Sequence, residues 1–210
     1  MTKKEFITLA KQLLPVVPDA VVHGPMIAIV PMGQILRGLN FDRSGWSKTA
    51  FYVETFWLPL YVPTEHIHFT FGNRIRDSRG VDGWDTVSPA MLDELSAAIR
   101  RNALPFFDTV KTLQGVVEVA RAAVARSLNS HHHQALAYTL AKIGEVEDAV
   151  QVIDALLVRL DDTTIPWVAK QKADITAFRK ILTDRPEDID ATLEGWRAET
   201  IRNLKLADIS

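Results

Sequence analysis

The hydrophobic period of the chain turns lastingly helical near Ser88, after changing several times before it, and this limits the fold more than any other feature of the sequence. Before Ser88, apolar residues come in short runs cut by proline and glycine: AVVHG from Ala20, MIAIVP from Met26, QILRGLNFD from Gln34, AFYVETFWLPLYV from Ala50 and HIHFTFG from His66. Runs of this length, rich in Val, Ile, Phe, Tyr and Trp, read as strands. The spacing of the turn signals fits an antiparallel meander better than strand–helix alternation. The first residues differ, because Phe6, Leu9, Ala10, Leu13 and Leu14 fall at helical spacing and Pro15 ends the run.

From Ser88 onward the period is helical. Ser88 is expected to cap a helix with Pro89 at its first position, and Pro105 to interrupt that helix. Further amphipathic runs follow Gly115, end at Gly144, and open at Glu145, Pro166 and Pro186. Helices joined by short loops favour an antiparallel bundle. The expected fold is therefore α+β. An N-terminal helix and a mostly antiparallel sheet occupy residues 1–87, and a helical bundle packed with them, or integrated into one domain, occupies residues 88–210.

One strand candidate is apolar on both alternating faces. Phe51, Val53 and Trp57 share one face, and Tyr52, Phe56, Leu58 and Leu60 the other. A strand covered on both sides reads this way. Pro59 removes a ladder donor, so the strand is expected to bend, end or lie at an edge there.

Composition excludes several function classes. The 210 residues contain no cysteine, which removes thiolate metal sites, Cys nucleophiles and disulfide frameworks and fits a reducing compartment. The N-terminal run is broken by Glu5 and Lys11, unlike a signal-peptide core, and no apolar run approaches the roughly 20 residues that cross a bilayer. A cytoplasmic location with no membrane association is expected. The formal net charge is −2, and neither half is strongly basic: 9 Lys+Arg stand against 8 Asp+Glu before Ser88, and 15 against 18 after it. Sequence-independent nucleic-acid binding is not expected from such a balance.

In HIHFTF, a strand would place His66, His68 and Thr70 on one face and Ile67, Phe69 and Phe71 on the other. Two histidines at i and i+2 on one face can share a metal, with His23 or Glu54 from a neighbouring strand as the third ligand. The competing reading is a solvated sheet face, polar by default. SHHHQ, at residues 130–134, reads as a solvated first helical turn capped by Ser130. Adjacent helical residues point about 100° apart, so these three histidines do not converge on one ion.

RSGWS at residues 43–47 does not match the nucleophile-elbow order, and Gly24, Gly33 and Gly38 are too scattered for a nucleotide fingerprint. Paired carboxylates at Asp161–Asp162 and Glu187–Asp188 sit at helix ends, where capping accounts for them. No cofactor is implied.

The aperiodic stretch 72–87, with three Gly, three Arg and three Asp, reads as a loop. Its Arg74, Arg76 and Arg79 are suited to an anionic ligand or an acidic partner surface. Trp84 is of the type that anchors interfaces. The alternative is local neutralisation by Asp77, Asp82 and Asp85, with Trp84 capping the core.

Two resemblances add to this. ALAYTLAKIGEVEDAVQVIDALLVRLDD, at about residues 135–162, resembles one tetratricopeptide helical hairpin, with Tyr138, Leu140, Gly144, Ala149 and Ala155 in the places of that family's pattern; no second copy follows. Residues of about 30–76, with ILRGLNFDRS, FYV, PLYVP and FGNRIR, resemble uncharacterised bacterial domain-of-unknown-function proteins of the immunity-protein kind. That resemblance implies no cofactor and no catalytic residue. The expected function is non-catalytic protein binding, with toxin neutralisation as its specific form and Arg74, Arg76, Arg79 and Trp84 as the binding residues. The alternatives are a metal-dependent enzyme or small-ligand binder built on His66 and His68, and a subunit that homodimerises through its helices.

Overall fold

The structure, a computed structural model, describes residues 1–160 and 165–209. It is α+β, with an N-terminal helix, an antiparallel sheet and then a succession of helices. The chain divides into two compact units.

The first unit holds Met1–Leu58, Ile67–Lys111 and the stretch from Lys205. Helix α1 (Lys3–Leu13) begins in a capping box: the Thr2 hydroxyl accepts from the Glu5 backbone N–H, and the Glu5 carboxylate accepts from that of Thr2. Its buried stripe is Phe6, Leu9, Ala10 and Leu13. Strands β1 (Ala20–His23), β2 (Met26–Ile29), β3 (Ile35–Arg43) and β4 (Ala50–Pro59) follow in a meander, each beside its predecessor. The core face carries Ile27, Ile29, Leu39, Phe41, Phe51 and Val53, packed with the α1 stripe. Phe51, Val53, Phe56, Trp57 and Leu58 of the two-faced strand are all inaccessible, whereas Tyr52 on its second face is only half-buried, and the strand ends at Pro59.

The far edge of β4 is shared by two short strands. β6 (Gly83–Asp85) pairs with Ala50–Tyr52, and β5 (Asn73–Arg74) pairs with Glu54 and Thr55. The stretch 72–87 is therefore not loop throughout: an exposed edge of so apolar a strand is covered by the chain itself. Its strands are too short to show a period.

HIHFTF forms no strand. The Thr64 hydroxyl closes a local turn on His66, and a second turn runs from Phe69 to Gly72. Phe69 packs edge-on against Phe56, and Phe71 stacks on Trp57 at 4.5 Å. The aromatic side chains reach the core from an irregular span, so no ladder is needed to bury them.

Helix α2 (Met91–Ala98) starts later than Ser88. Asp85 takes up the chain first: its side chain accepts from the Val87 N–H and its carbonyl from the Ser88 N–H, which leaves Ser88–Ala90 in turns. Pro105 does not interrupt the helix that follows. A π-helical turn (Ile99–Ala103), in which the Leu104 N–H bonds the Ile99 carbonyl, leads directly into α3 (Leu104–Thr109) with Pro105 in its first turn. The wider turn accommodates a residue that cannot donate. Leu95, Ala98, Ile99, Ala103 and Phe107 complete the core.

The second unit holds Pro59–His66 and Thr112–Leu204. It comprises α4 (Leu113–Val124), α5 (Ser130–Lys142), α6 (Val146–Arg159), α7 (Pro166–Asp184) and α8 (Ile189–Asn203). α4 is capped by Thr112 and so begins before Gly115. α5 and α6 form a helical hairpin whose turn uses Gly144 at φ +87°. Ala149 is buried against this turn of the hairpin, whereas Ala155 faces outward. Pro186 opens a single 3₁₀ turn before α8 rather than α8 itself. Asp161 and Asp162 lie outside the described residues. Tyr138 of α5, Phe178 of α7 and Trp196 of α8 meet with ring centroids 4.4–5.4 Å apart. The segment from Pro59 is fixed by Tyr61, whose hydroxyl bonds that of Thr139 at 2.8 Å, and by the Val62 carbonyl, which accepts from Thr200.

Gly38 marks the tightest backbone approach in the sheet, since a Cβ there would sit 1.9 Å from the Ile27 carbonyl oxygen. Gly38→Ala must therefore push β2 and β3 apart. Urea denaturation is expected to show a loss of about 1–3 kcal/mol, the usual cost of overpacking; Gly45→Ala, with open space around it, is the control.

Candidate functional site

The arginines of the 72–87 stretch are arranged by the strands that hold them. Arg74 stands opposite Glu54 in the β4–β5 ladder, so their side chains share a face. Its Nε donates to the Glu54 carboxylate and its Nη1 to Asp82, both at 3.2 Å, and the guanidinium lies 3.9 Å over the Tyr52 ring. Arg79 belongs to a tighter turn. The Asp77 carboxylate accepts from the backbone N–H groups of Arg79 and Val81 and pairs with the Arg79 guanidinium at 2.7 Å. The Val81 N–H first, and then the Arg79 guanidinium, hold the Asp77 carboxyl below the usual carboxylate range. Arg76 is exposed and forms no ion pair among the described residues. Trp84 is 3% exposed, and its indole N–H donates to the Ile75 carbonyl. The structure thus gives Arg74 and Arg79 local partners, puts Trp84 in the core and leaves Arg76 at the surface.

His66 and His68 do not share a strand face. His66 is exposed beside the Thr64 turn, and the His68 ring is tilted against Phe71 at 5.2 Å. Of the proposed third ligands, His23 lies on β1 and Glu54 on β4, three strand spacings apart, roughly 14 Å. Glu54 is already bonded to Arg74. Among the described residues, no group of three or more His, Cys, Asp or Glu side chains is placed to hold a metal ion.

The second histidine cluster differs from the expected solvated turn. Asn129, not Ser130, caps α5 by accepting from the His131 N–H. This frees the Ser130 hydroxyl to donate to Gln171 on α7, whose amide N–H bonds Gln134. His133 is only 2% exposed. Its Nδ1 lies 3.1 Å from the Asn129 carbonyl and its Nε2 2.8 Å from the Arg159 guanidinium of α6. Since guanidinium can only donate, Nε2 must accept and Nδ1 must carry the proton. The ring is held neutral. Burial pushes its pKa down, the Asn129 carbonyl opposes that shift, and Arg159 and His132 add to it. His131 lies parallel to the Trp167 ring at 6.4 Å, and burial lowers its pKa as well.

The most exposed large apolar side chain among the described residues is Trp46, at 96%. It sits at the tip of the β3–β4 hairpin, a position where sequence reasoning tested only for a nucleophile elbow. Hydroxyl bonds order the tip. The Ser44 side chain accepts from the Trp46 N–H, and that of Ser47 accepts from the N–H groups of Thr49 and Ala50. The Ser44 N–H bonds the Ala50 carbonyl and closes the hairpin. A tryptophan among Ser, Gly and Lys between two strands is the available sequence signal, because a turn tip has no core to enter. Comparison with protein families, curated proteins and solved structures finds no match to this chain.

The neutral ring of His133 sets a pH dependence. A histidine whose folded pKa is lowered takes up its proton first in the unfolded chain, so stability is complete above about pH 6.5 and falls as pH drops below it toward the folded value. Thermal unfolding between pH 7.5 and 5 is expected to show this loss. His133→Gln, which can donate to Asn129 and accept from Arg159 without titrating, is expected to reduce the slope and leave the part that His131 contributes with the same sign; an unchanged slope would remove His133 as a source.

Proposed function

We propose that the chain is a non-catalytic protein-binding module of the cytoplasm that engages its partner through Trp46, and that the bound partner is a toxin which it neutralises. The observation that carries the binding reading is the ordered, solvent-presented indole at the hairpin tip. An exposed tryptophan gains little for folding, and tryptophan is among the residues that contribute most when buried at an interface. The tip is held by its own hydroxyl bonds, so little conformational freedom is lost on docking. Arg76, exposed and without an ion pair among the described residues, is a second contact candidate from the expected set. The toxin reading is supported by the immunity-protein resemblance of residues 30–76, which includes Trp46. The near-neutral charge balance supports a protein rather than a nucleic acid as partner.

Trp46→Ala is expected to leave urea stability within about 0.5 kcal/mol of wild type, as for an exposed side chain. In immunoprecipitates from the protein's own cells, analysed by mass spectrometry and light scattering, wild type and Arg79→Ala are expected to retain one stoichiometric partner. Trp46→Ala is expected to lose it tenfold or more, and equal recovery overturns the tip as the site. The partner produced without this chain is expected to arrest growth, with rescue by wild type and not by Trp46→Ala. A partner harmless on its own removes the toxin reading and leaves the binding reading in place.

A further inference from the structure

Beside the hairpin tip, a cavity of about 510 Å³ opens between α1 and the residues that follow Trp46. One wall is a helical stripe at i, i+4 and i+8, namely Lys4, Thr8 and Gln12. Lys48 lies on the hairpin side, two residues from Trp46. The apolar lining comes from Leu9, which is buried, and from Met1 and Met91, which are half-buried.

The charged side chains lining this cavity are two lysines and one glutamate. Lys4 and Lys48 are exposed, and neither has an ion pair among the described residues. Glu5 is the one acidic residue among those lining it, and its carboxylate is committed to the Thr2 N–H in the capping box. That bond, with the Thr2 hydroxyl, holds the Glu5 carboxyl below its ordinary value. Its charge also faces the positive end of the α1 dipole. Lys3 on α1 adds exposed positive charge, while on the hairpin the exposed Arg43 is offset by the adjacent exposed Asp42. A ligand that answers this lining carries carboxylates for the lysines and an apolar side chain for Leu9 and Met91.

We infer that the cavity and Trp46 form one docking surface for an acidic segment of a protein partner, whose carboxylates meet Lys4 and Lys48 while Trp46 inserts into the partner's own surface. The inference rests on the protein-binding reading of Trp46 and adds the chemistry of the partner. Charge complementarity of this kind sets association rate and specificity, and it weakens with salt.

The test is photocrosslinking in the protein's own cells, using the full chain with benzoylphenylalanine in place of exposed Thr8. The crosslinked peptide is sequenced by mass spectrometry. It is expected to contain more Asp and Glu than Lys and Arg. Its yield is expected to fall tenfold or more in Lys4→Glu/Lys48→Glu and to persist in Lys11→Glu, an exposed α1 charge outside the cavity. A neutral or basic peptide, or a yield unchanged by the double reversal, overturns the inference. So does the absence of a crosslink while the Trp46-dependent complex is still recovered, an outcome that leaves the binding reading standing. A complex indifferent to Trp46→Ala sinks both. Lysine-dependent sedimentation with phosphatidylserine–phosphatidylcholine vesicles, without any protein crosslink, would make the surface a lipid site and overturn the acidic-protein assignment.

Discussion

A strand with apolar side chains on both faces cannot border water on either, and much of the first unit follows from placing β4 under that constraint. Phe51 and Val53 require the α1 and α2 layer on one face, and the other face must be closed at Phe56, where Phe69 packs. Its edges are under the same pressure. β3 takes one, and the chain returns twice, as β6 and then β5 in order along the strand, to cover the other. The ladder then dictates the chemistry of this edge. Arg74 meets Glu54 because antiparallel register sets them opposite, and Trp84 reaches the core because it pairs with the inward-facing Phe51. Residues that look like a binding set in one dimension are thereby drawn into holding down an edge.

The parts legible in the sequence were those with enough residues to show a period. Strands β1 to β4 each carry four or more residues of β-type composition between proline or glycine signals, and α1 and the later helices repeat their apolar stripe over several turns. β5 and β6, with two and three residues, have no period to read. HIHFTF shows the opposite failure: three alternating pairs arise readily by composition, and the ring packing of half-buried Phe69 and buried Phe71 satisfies the same pattern without a ladder. The π-helical turn before Pro105 was invisible because proline predicts an interruption, whereas one inserted residue per turn resolves the clash while the helix axis continues.

The histidines show why the candidate sites were harder to read than the fold. In SHHHQ the angle of about 100° between neighbouring residues denies convergence on one ion, and the same angle sends the three side chains into different environments. His133 points inward, where Arg159, 26 residues later in the chain, supplies the donor that makes its burial tolerable. The shift of the cap to Asn129 has the same origin. Once Asn129 takes the His131 N–H, the Ser130 hydroxyl can serve the buried Gln171–Gln134 pair, and a polar chain between α5 and α7 is satisfied. Arg159 and Gln171 are both far along the chain from the residues they serve, so local rules assign His133 and Ser130 their default, solvated roles.

Trp46 differs from these residues in being unexplained by the fold. Arg74, Arg79, Trp84 and His133 all acquired local or core partners when the chain was folded, and their chemistry is consumed by stability. Trp46 acquired none, yet the backbone at its tip is ordered by two serine hydroxyls that need no contact with the indole. A tip selected only for chain reversal needs turn-formers such as Gly45 and Ser47, and a large apolar ring adds nothing to that task while exposing surface that favours association. An ordered tip with an idle anchor is the arrangement that preorganised recognition requires: ordering is completed in the folded chain, and a tryptophan side chain with two rotatable bonds retains little freedom to lose. The physical case for recognition at this hairpin is therefore the contrast between the side chains the fold uses and the one it holds in place without using.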